Sequence, residues 1–148
     1  MLETALAHME QAARSVGLDM AELNELQEPQ NFLRAEIEVA GRRYQGYRIQ
    51  HSDWRGPYRG AIRFHPSIDE EEMQILATLT SIKTAAVDIP MGGSYGGVRI
   101  DCAGLDVAGL EQLARQYVRQ FIDHIGANKD ILELDILNRD DRVICWMA

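Results

Sequence analysis

The sequence predicts an α/β fold, a mixed β-sheet flanked by helices within a single domain spanning 1–148. Apolar residues recur at helical spacing in some segments and alternate with polar residues in others. The two kinds of segment are interleaved along the chain, which is typical of α/β proteins. A chain of 148 residues is also long enough to bury a substantial core.

The first third of the chain changes from a helical to an extended pattern. Apolar spacing predicts a helix over 2–16 and a shorter helix over 20–27. The alternation from Leu33 to Val39 predicts a half-buried strand. A tight turn at 40–42 is then expected to lead into the returning strand of a hairpin, 43–50.

The middle of the chain is predicted to contain two strands around one long helix. "SDWRGPYRG" predicts a loop, and "AIRFH" (61–65) predicts a third strand. A helix opens at Pro66-Ser67 and continues to Val87, and the acids of its first turn, Asp69 to Glu72, complement the helix dipole. After a glycine loop, "GGVRID" (96–101) predicts a further strand.

The last third supplies the remaining elements of the predicted fold. A long helix is expected over 107–124, because apolar residues repeat along one face. "DILELDIL" (130–137) is apolar enough for a short buried segment, and 139–147 is a candidate helix.

Composition excludes several classes of function. A net charge of −8 argues against a nucleic-acid surface, which needs a basic stripe. Two cysteines are too few for a disulfide framework and suit a reducing compartment. The chain shows neither a signal peptide nor a membrane-spanning apolar run, and its four histidines lack metal-ligand spacing. We therefore expect a cytoplasmic protein with no nucleic-acid partner, membrane contact or metal site.

Lys83 is the most informative single residue before any family is considered. It is the only charged side chain from Met73 to Val87, on a helix that is apolar around most of its circumference. A buried ammonium is costly without a partner, so one interpretation is a binding role on the buried side of the helix. The alternative is a lysine that reaches solvent at the C-terminal end of the helix, where a cation is favourable.

Arg55, Arg59 and Arg63 form a second candidate group. In a strand that starts at Arg59, the side chains of Arg59, Ala61 and Arg63 point to one face. Arginine binds carboxylates and phosphates through two parallel hydrogen bonds, so an anionic ligand fits this face. The alternative is a set of surface arginines that pair with the chain's own acids.

The glycine loop "MGGSYGGV" places Gly92, Gly93, Gly96 and Gly97 around Tyr95. Glycine allows a sharp turn, or a close approach of the backbone to a ligand. The segment follows a helix and leads into a strand, which is the reverse of the context of a nucleotide-binding loop. We therefore expect a loop that does not bind a nucleotide.

Three segments together resemble one known family: "GYRIQHSDWRGPYRGAIRFHP", "IKTAAVDIPMGGSYGGV" and the terminal "WM". The chain is similar, from about residue 5 to residue 147, to the amino-terminal, substrate-binding and oligomerisation domain of the glutamate/leucine/phenylalanine/valine dehydrogenases. The two long motifs occur in the family's order and at its spacing. The resemblance therefore extends to individual site positions.

The resemblance implies four polar site positions. A substrate-contacting lysine in a K-G-G-I-R run corresponds to Arg59, with Ala61 in place of the second glycine. The lysine that holds the α-carboxylate corresponds to Lys83. The catalytic lysine of G-G-x-K-G-G corresponds to Tyr95, and the proton-transferring aspartate of P-A-P-D corresponds to Asp135. The G-T that usually follows that aspartate is replaced by Leu137-Asn138.

These departures predict a degenerate domain that is not catalytic as an isolated chain. Tyrosine has an ordinary pKa near 10 and cannot become the cation that amine chemistry uses. The family's Rossmann half would begin near Ala148, so we expect no cofactor for this chain, although the family uses NAD or NADP.

The expected partners are a second copy of the chain, a small amino acid or 2-oxo acid, or a separate dehydrogenase subunit. Two alternatives to the degenerate domain stay open. One is the substrate half of a split dehydrogenase, and the other is a gene remnant.

Overall fold

The computed structural model describes residues 2–135 and 140–148. These residues form helices, strands and one short 3-10 turn at Cys102–Gly104. In chain order the elements are α1 (Leu2–Val16), α2 (Met20–Gln27), β1 (Asn31–Val39), β2 (Arg42–Ser52), β3 (Tyr58–Phe64), α3 (Glu70–Ala86), β4 (Gly93–Val98), α4 (Val107–Phe121), β5 (Asp130–Leu134) and α5 (Arg142–Met147).

The strands form one mixed sheet in the order β1-β2-β4-β3-β5. β1 and β2 are an antiparallel hairpin, and β2 also pairs antiparallel with β4. β3 lies between β4 and β5 and is parallel to both. The predicted mixed α/β sheet with flanking helices is therefore confirmed.

The hairpin turn lies where the sequence predicts it. Val39 pairs with Arg42, so the turn consists of Ala40 and Gly41, with φ values of 50° and 74°. Two successive residues with positive φ match the twist of the flanking strands.

Each face of the sheet carries its own hydrophobic cluster. Alternation along β4 sends Ser94, Gly96 and Val98 towards α4, and Tyr95 towards α3. The α4 face is the larger cluster and includes Ile62, Leu113, Tyr117 and Phe121, among others. The α3 face joins Tyr95 to Ile49, Ile68, Met73 and Ala77.

The glycine segment is a strand from Gly93, so its prediction as a loop is wrong for 93–95, whereas the strand predicted from Gly96 is present and ends at Val98. β4 spans Gly93–Val98, is buried along its whole length and lies in the middle of the sheet. None of Gly92, Gly93, Gly96 and Gly97 has a positive φ. Close approach to other parts of the protein requires them instead: a Cβ at Gly97 would lie 2.1 Å from the carbonyl oxygen of Arg63.

Other boundaries differ from the prediction by a few residues. β3 begins at Tyr58, so the predicted loop over 52–60 is shorter and Arg59 lies inside the strand. α4 ends at Phe121, where 124 was expected. The predicted segment 130–137 is a strand at Asp130–Leu134, and its last two residues lie outside the described part of the chain.

Candidate functional site

The candidate site lies on the α3 face of the sheet, across β3, β4 and β5. β3 contributes Arg59, Ala61 and Arg63, which share one face as the sequence predicts. Ala61 pairs in register with Glu133 of β5. Asp135, directly after β5, donates its backbone N–H to the carbonyl oxygen of Ile62 at 3.3 Å.

Tyr95 and Asp135 meet at the base of this face. The phenol Oη of Tyr95 donates a short hydrogen bond to the Asp135 carboxylate, and Arg63 Nε donates to the same oxygen at 3.1 Å. Arg63 Nη1 also donates to Glu72 of α3. Asp135 is only 4% exposed, so these four side chains form one half-buried ionic network that joins the sheet to α3.

The environment of Tyr95 keeps its phenol protonated. Burial raises the pKa of Tyr95 well above its ordinary value, and the neighbouring Asp135 carboxylate raises it further. The Arg63 guanidinium, 5.8 Å from the ring centroid, opposes this shift only in part. Tyr95 is therefore a neutral hydrogen-bond donor to Asp135.

Arg59 is already paired within the protein. Its guanidinium forms an ion pair with the Glu133 carboxylate, and the two side chains are 33% and 36% exposed. The pair lies at the surface of the site. Arg59 and Arg63 share this face, and each pairs with acids of the chain itself, as in the alternative of paired surface arginines.

Lys83 is exposed, so the prediction that it lies on the buried side of α3 is wrong. The apolar content of α3 was misleading because its C-terminal half leaves apolar side chains in solvent, such as Ile82 at 40% exposure. No carboxylate of the described residues lies within ion-pair distance of Lys83.

The position of Lys83 along α3 follows from helix geometry. Lys83 is eleven residues after Glu72, which places it about three turns further along and only about 20° around the axis. α3 runs back along β3, because Glu72 pairs with Arg63 near the end of β3 and Asp88 pairs with Arg55 before its start. Lys83 therefore lies on the Glu72 side of the helix, towards the Arg59 end of β3. We call the surface formed by this side of α3 and the side chains of Arg59, Ala61, Arg63 and Glu133 the α3 groove.

Gly93 sets how closely α3 lies on the sheet beside the α3 groove. A Cβ at Gly93 would lie 2.3 Å from both the backbone nitrogen and the hydroxyl of Ser81. Gly93 therefore has a packing role. It brings α3 onto the sheet two residues before Lys83.

A second buried network on the opposite face supports the strands. Arg48 is fully buried and donates to Asp130 (Nε to Oδ2, 2.9 Å), to Ser94 Oγ at 2.7 Å and to the carbonyl oxygens of Ala61 and Gly60. Gln50 also donates to Asp130, at 2.9 Å. Because this network joins β2, β3, β4 and β5, it fixes the spacing of the strands that carry the site.

Glu72, Glu133 and Asp130 are the site-supporting residues that sequence reasoning missed. The sequence pattern predicts only helix-dipole complementation for Glu72, whereas in the structure its carboxylate on the first turn of α3 also pairs with Arg63. Glu133 reaches Arg59 only through the parallel register of β5 against β3, which no local pattern reveals. The replacement at Leu137-Asn138 lies outside the described residues.

The described residues contain neither a metal cluster nor a membrane-spanning helix. Within 2–135 and 140–148, no group of three or more His, Cys, Asp or Glu side chains could hold a metal ion. No helix of that part of the chain is long and apolar enough to cross a lipid bilayer.

The fold is that of the amino-terminal domain of amino-acid dehydrogenases. The structure superposes on the hetero-hexameric glutamate dehydrogenase of Thermus thermophilus, in its leucine-bound form, with a TM-score of 0.92 and 33% identity over 98% of this chain and 36% of that one. For the glutamate dehydrogenase of Peptoniphilus asaccharolyticus the TM-score is 0.93, with 31% identity over 99% of this chain and 38% of that one.

The family model for the Glu/Leu/Phe/Val dehydrogenase dimerisation domain matches residues 29–148. The chain belongs to this family.

Curated relatives agree with this assignment. The NAD-specific glutamate dehydrogenase of Staphylococcus aureus (strain COL) is 33% identical over 144 residues, which cover 94% of this chain and 34% of the relative. Glutamate dehydrogenase A2 of Halobacterium salinarum is 37% identical over 151 residues, which cover 99% of this chain and 36% of the relative. The chain thus spans about a third of the length of the relatives it matches.

Proposed function

We propose that this chain is a degenerate substrate domain of the glutamate dehydrogenase type, which binds a small amino acid or 2-oxo acid without converting it. The observation that carries the proposal is the buried hydrogen bond between Tyr95 and Asp135. By resemblance, these two positions hold the catalytic lysine and the proton-transferring aspartate of the family. In this chain they bond to each other.

The chemistry of amine oxidation requires a group that exchanges a proton near neutral pH. A lysine crowded by other cations can do this, because its pKa falls towards neutrality. Tyr95 cannot, since burial and Asp135 raise the pKa of its phenol. Asp135 accepts hydrogen bonds from both Tyr95 and Arg63, which further supports a structural role for the pair.

Ligand binding is assigned to the α3 groove. Lys83 is its exposed cation without a carboxylate within ion-pair distance among the described residues, so it is available to a ligand carboxylate. A contact between exposed charges is weakened by salt. We therefore propose weak, salt-sensitive binding of an amino or 2-oxo acid.

Calorimetric titration tests this proposal. Binding of a panel of amino and 2-oxo acids should be detectable at low salt and should weaken at high salt. Lys83→Gln should abolish it. Lys129→Gln is the matched control, because Lys129 is an exposed lysine that donates to the Asp123 carbonyl away from the α3 groove. Equal loss of binding in both variants, or no binding of any acid to the wild type, would contradict the proposal.

We further propose that the 148-residue chain binds neither NAD nor NADP. The sequence contains no dinucleotide fingerprint, and the glycines of β4 are used in packing against Ser81, Tyr117 and Arg63. Titration with each dinucleotide checks this. Micromolar affinity for either would overturn it.

Self-association is the third part of the proposal. The family model describes a dimerisation domain, and exposed apolar side chains such as Val16, Val87 and Ile122 are available for contacts between copies. Light scattering should therefore give a mass of at least twice the 16.7 kDa of one chain. A monomer at tens of micromolar would contradict this part alone.

A second candidate function is a non-catalytic subunit of a mixed dehydrogenase assembly. The observation that favours it is the similarity to a glutamate dehydrogenase described as hetero-hexameric. In that case the chain should co-purify with a full-length dehydrogenase of its own organism when the two are co-expressed. The degenerate-domain proposal requires no such partner.

A further inference from the structure

We propose that Glu133 is a specificity-determining residue that restricts the α3 groove to a ligand with one carboxylate, namely an amino or 2-oxo acid with an uncharged side chain. This inference rests on the proposed ligand-binding function. It names the class of ligand and attributes the selectivity for one carboxylate to the ion pair between Arg59 and Glu133.

The charges around the groove show how many ligand carboxylates it can accept. Three cations border it, Arg59, Arg63 and Lys83. Arg63 is held by two carboxylates, those of Asp135 and Glu72. Arg59 is held by Glu133. Among the described residues, Lys83 is thus the one groove cation left without an acidic partner, so one ligand carboxylate completes the pairing.

The placement of Glu133 makes it a competitor for a second ligand carboxylate. β3 and β5 are parallel and in register at Arg59 with Ile131 and at Ala61 with Glu133. Side chains two residues apart share a face, so the Glu133 carboxylate reaches Arg59 along the surface of the sheet. A second ligand carboxylate would have to displace it, or remain beside a like charge, which is unfavourable.

An uncharged side chain avoids this conflict. The surface between Arg59 and Arg63 is the methyl group of Ala61, which packs at the edge of the apolar cluster around Tyr95. Because Arg59 and Glu133 neutralise each other, a ligand methyl or methylene group can lie against this surface without removing an unpaired charge from water.

Two pairs of ligands measure the effect of a second carboxylate on binding. Norvaline and glutamate have the same five-carbon chain and differ only in a terminal methyl or carboxylate group, as do 2-oxopentanoate and 2-oxoglutarate. Calorimetry on the wild-type chain at low salt should give affinities about tenfold higher for the monocarboxylate of each pair. Glu133→Gln keeps the shape of the side chain and releases Arg59, so it should improve glutamate and 2-oxoglutarate binding about tenfold while changing norvaline binding less than about threefold.

Glu36→Gln is the matched control, because it removes the acid of a similar cross-strand pair. Glu36 and Arg43 are 3.1 Å apart on β1 and β2, away from the groove. This variant should bind all four acids like the wild type. Exposed pairs contribute little to stability, so both variants should fold, and far-ultraviolet circular dichroism verifies this.

The outcomes separate this inference from the proposed function. Dicarboxylates that bind the wild type as tightly as their monocarboxylate partners would overturn the role of Glu133 and leave ligand binding intact. Unchanged selectivity in folded Glu133→Gln would overturn it as well. If none of the four acids binds the wild type or Glu133→Gln, the proposed ligand-binding function itself fails.

Discussion

At the scale of single residues, Tyr95 connects two parts of the candidate site. A lysine there would add a cation next to Asp135 and Arg63, whereas tyrosine adds a neutral donor that bonds to Asp135. Tyr95 is thus a structural contact between β4 and the residue that follows β5. The sequence could predict that position 95 carries no amine, because residue type is local information. It could not predict the new partner, since the contact spans forty positions of the chain.

Tyr95→Phe tests the structural role of the phenol. Removing the hydroxyl leaves a buried carboxylate with one donor fewer, so we expect the free energy of unfolding to fall by about 1–3 kcal/mol. Urea denaturation measures the loss. Tyr44→Phe, at the partly buried edge of the other cluster, should stay within about 0.5 kcal/mol of wild type. A Tyr95→Phe variant as stable as wild type would show that the hydrogen bond is not structural.

At the scale of elements, local patterns predicted the hairpin and the helices but not the glycine strand. The hairpin is set by alternation and by a two-residue turn, and both are written in consecutive residues. Glycine in β4 is required by neighbours far along the chain: Ser81 above Gly93, Tyr117 below Gly96 and the Arg63 backbone beside Gly97. Such tertiary contacts leave no local signal, so the glycines resembled a loop. The same limit hid the pairing of Glu133 with Arg59, which depends on strand register.

Gly93→Ala tests whether close packing of α3 is built into β4. The added methyl group would lie 2.3 Å from the Ser81 backbone nitrogen, so α3 must move away from the sheet. Overpacking of this kind is expected to cost about 1–3 kcal/mol of stability. Gly104→Ala is the control, because a Cβ there meets no atom within 4 Å. Equal midpoints of urea unfolding for the two variants would contradict the proposed role of Gly93.

At the scale of the whole molecule, the sheet separates a face with a fully buried ionic network from a face with half-exposed charged side chains. On the α4 face, the fully buried Arg48 and Asp130 satisfy each other and tie four strands together. On the α3 face, the helix packs on β2 and β4, while β3 and β5 keep half-exposed charged side chains. The first face supplies the rigidity that the second needs, because both networks share strands β3, β4 and β5.

The pH dependence of global stability depends on a histidine buried beneath α3. His51 of β2 contacts Ser81 Oγ through Nδ1 at 2.9 Å, and burial lowers its pKa to about 4, with the carbonyls of Leu26 and Gln27 partly opposing the shift. In the unfolded chain its pKa is about 6.5. Between these two values the unfolded state binds a proton that the folded state does not. The contribution of His51 to stability is therefore complete above about pH 6.5 and is lost as the pH falls towards 4.

We expect the shifted pKa of His51 to lower the free energy of unfolding by about 3 kcal/mol between pH 7 and pH 4. The loss opposes the relief of self-repulsion that acid gives a chain with a net charge of −8. Urea denaturation at half-unit pH steps measures the slope, and His51→Gln should remove the part that falls between pH 6.5 and 4. His8 is exposed on the surface of α1, so His8→Gln should keep the wild-type slope of stability against pH. Parallel pH curves for the wild type and His51→Gln would show that His51 is protonated without cost in the folded protein, and that acid acts on stability through other groups.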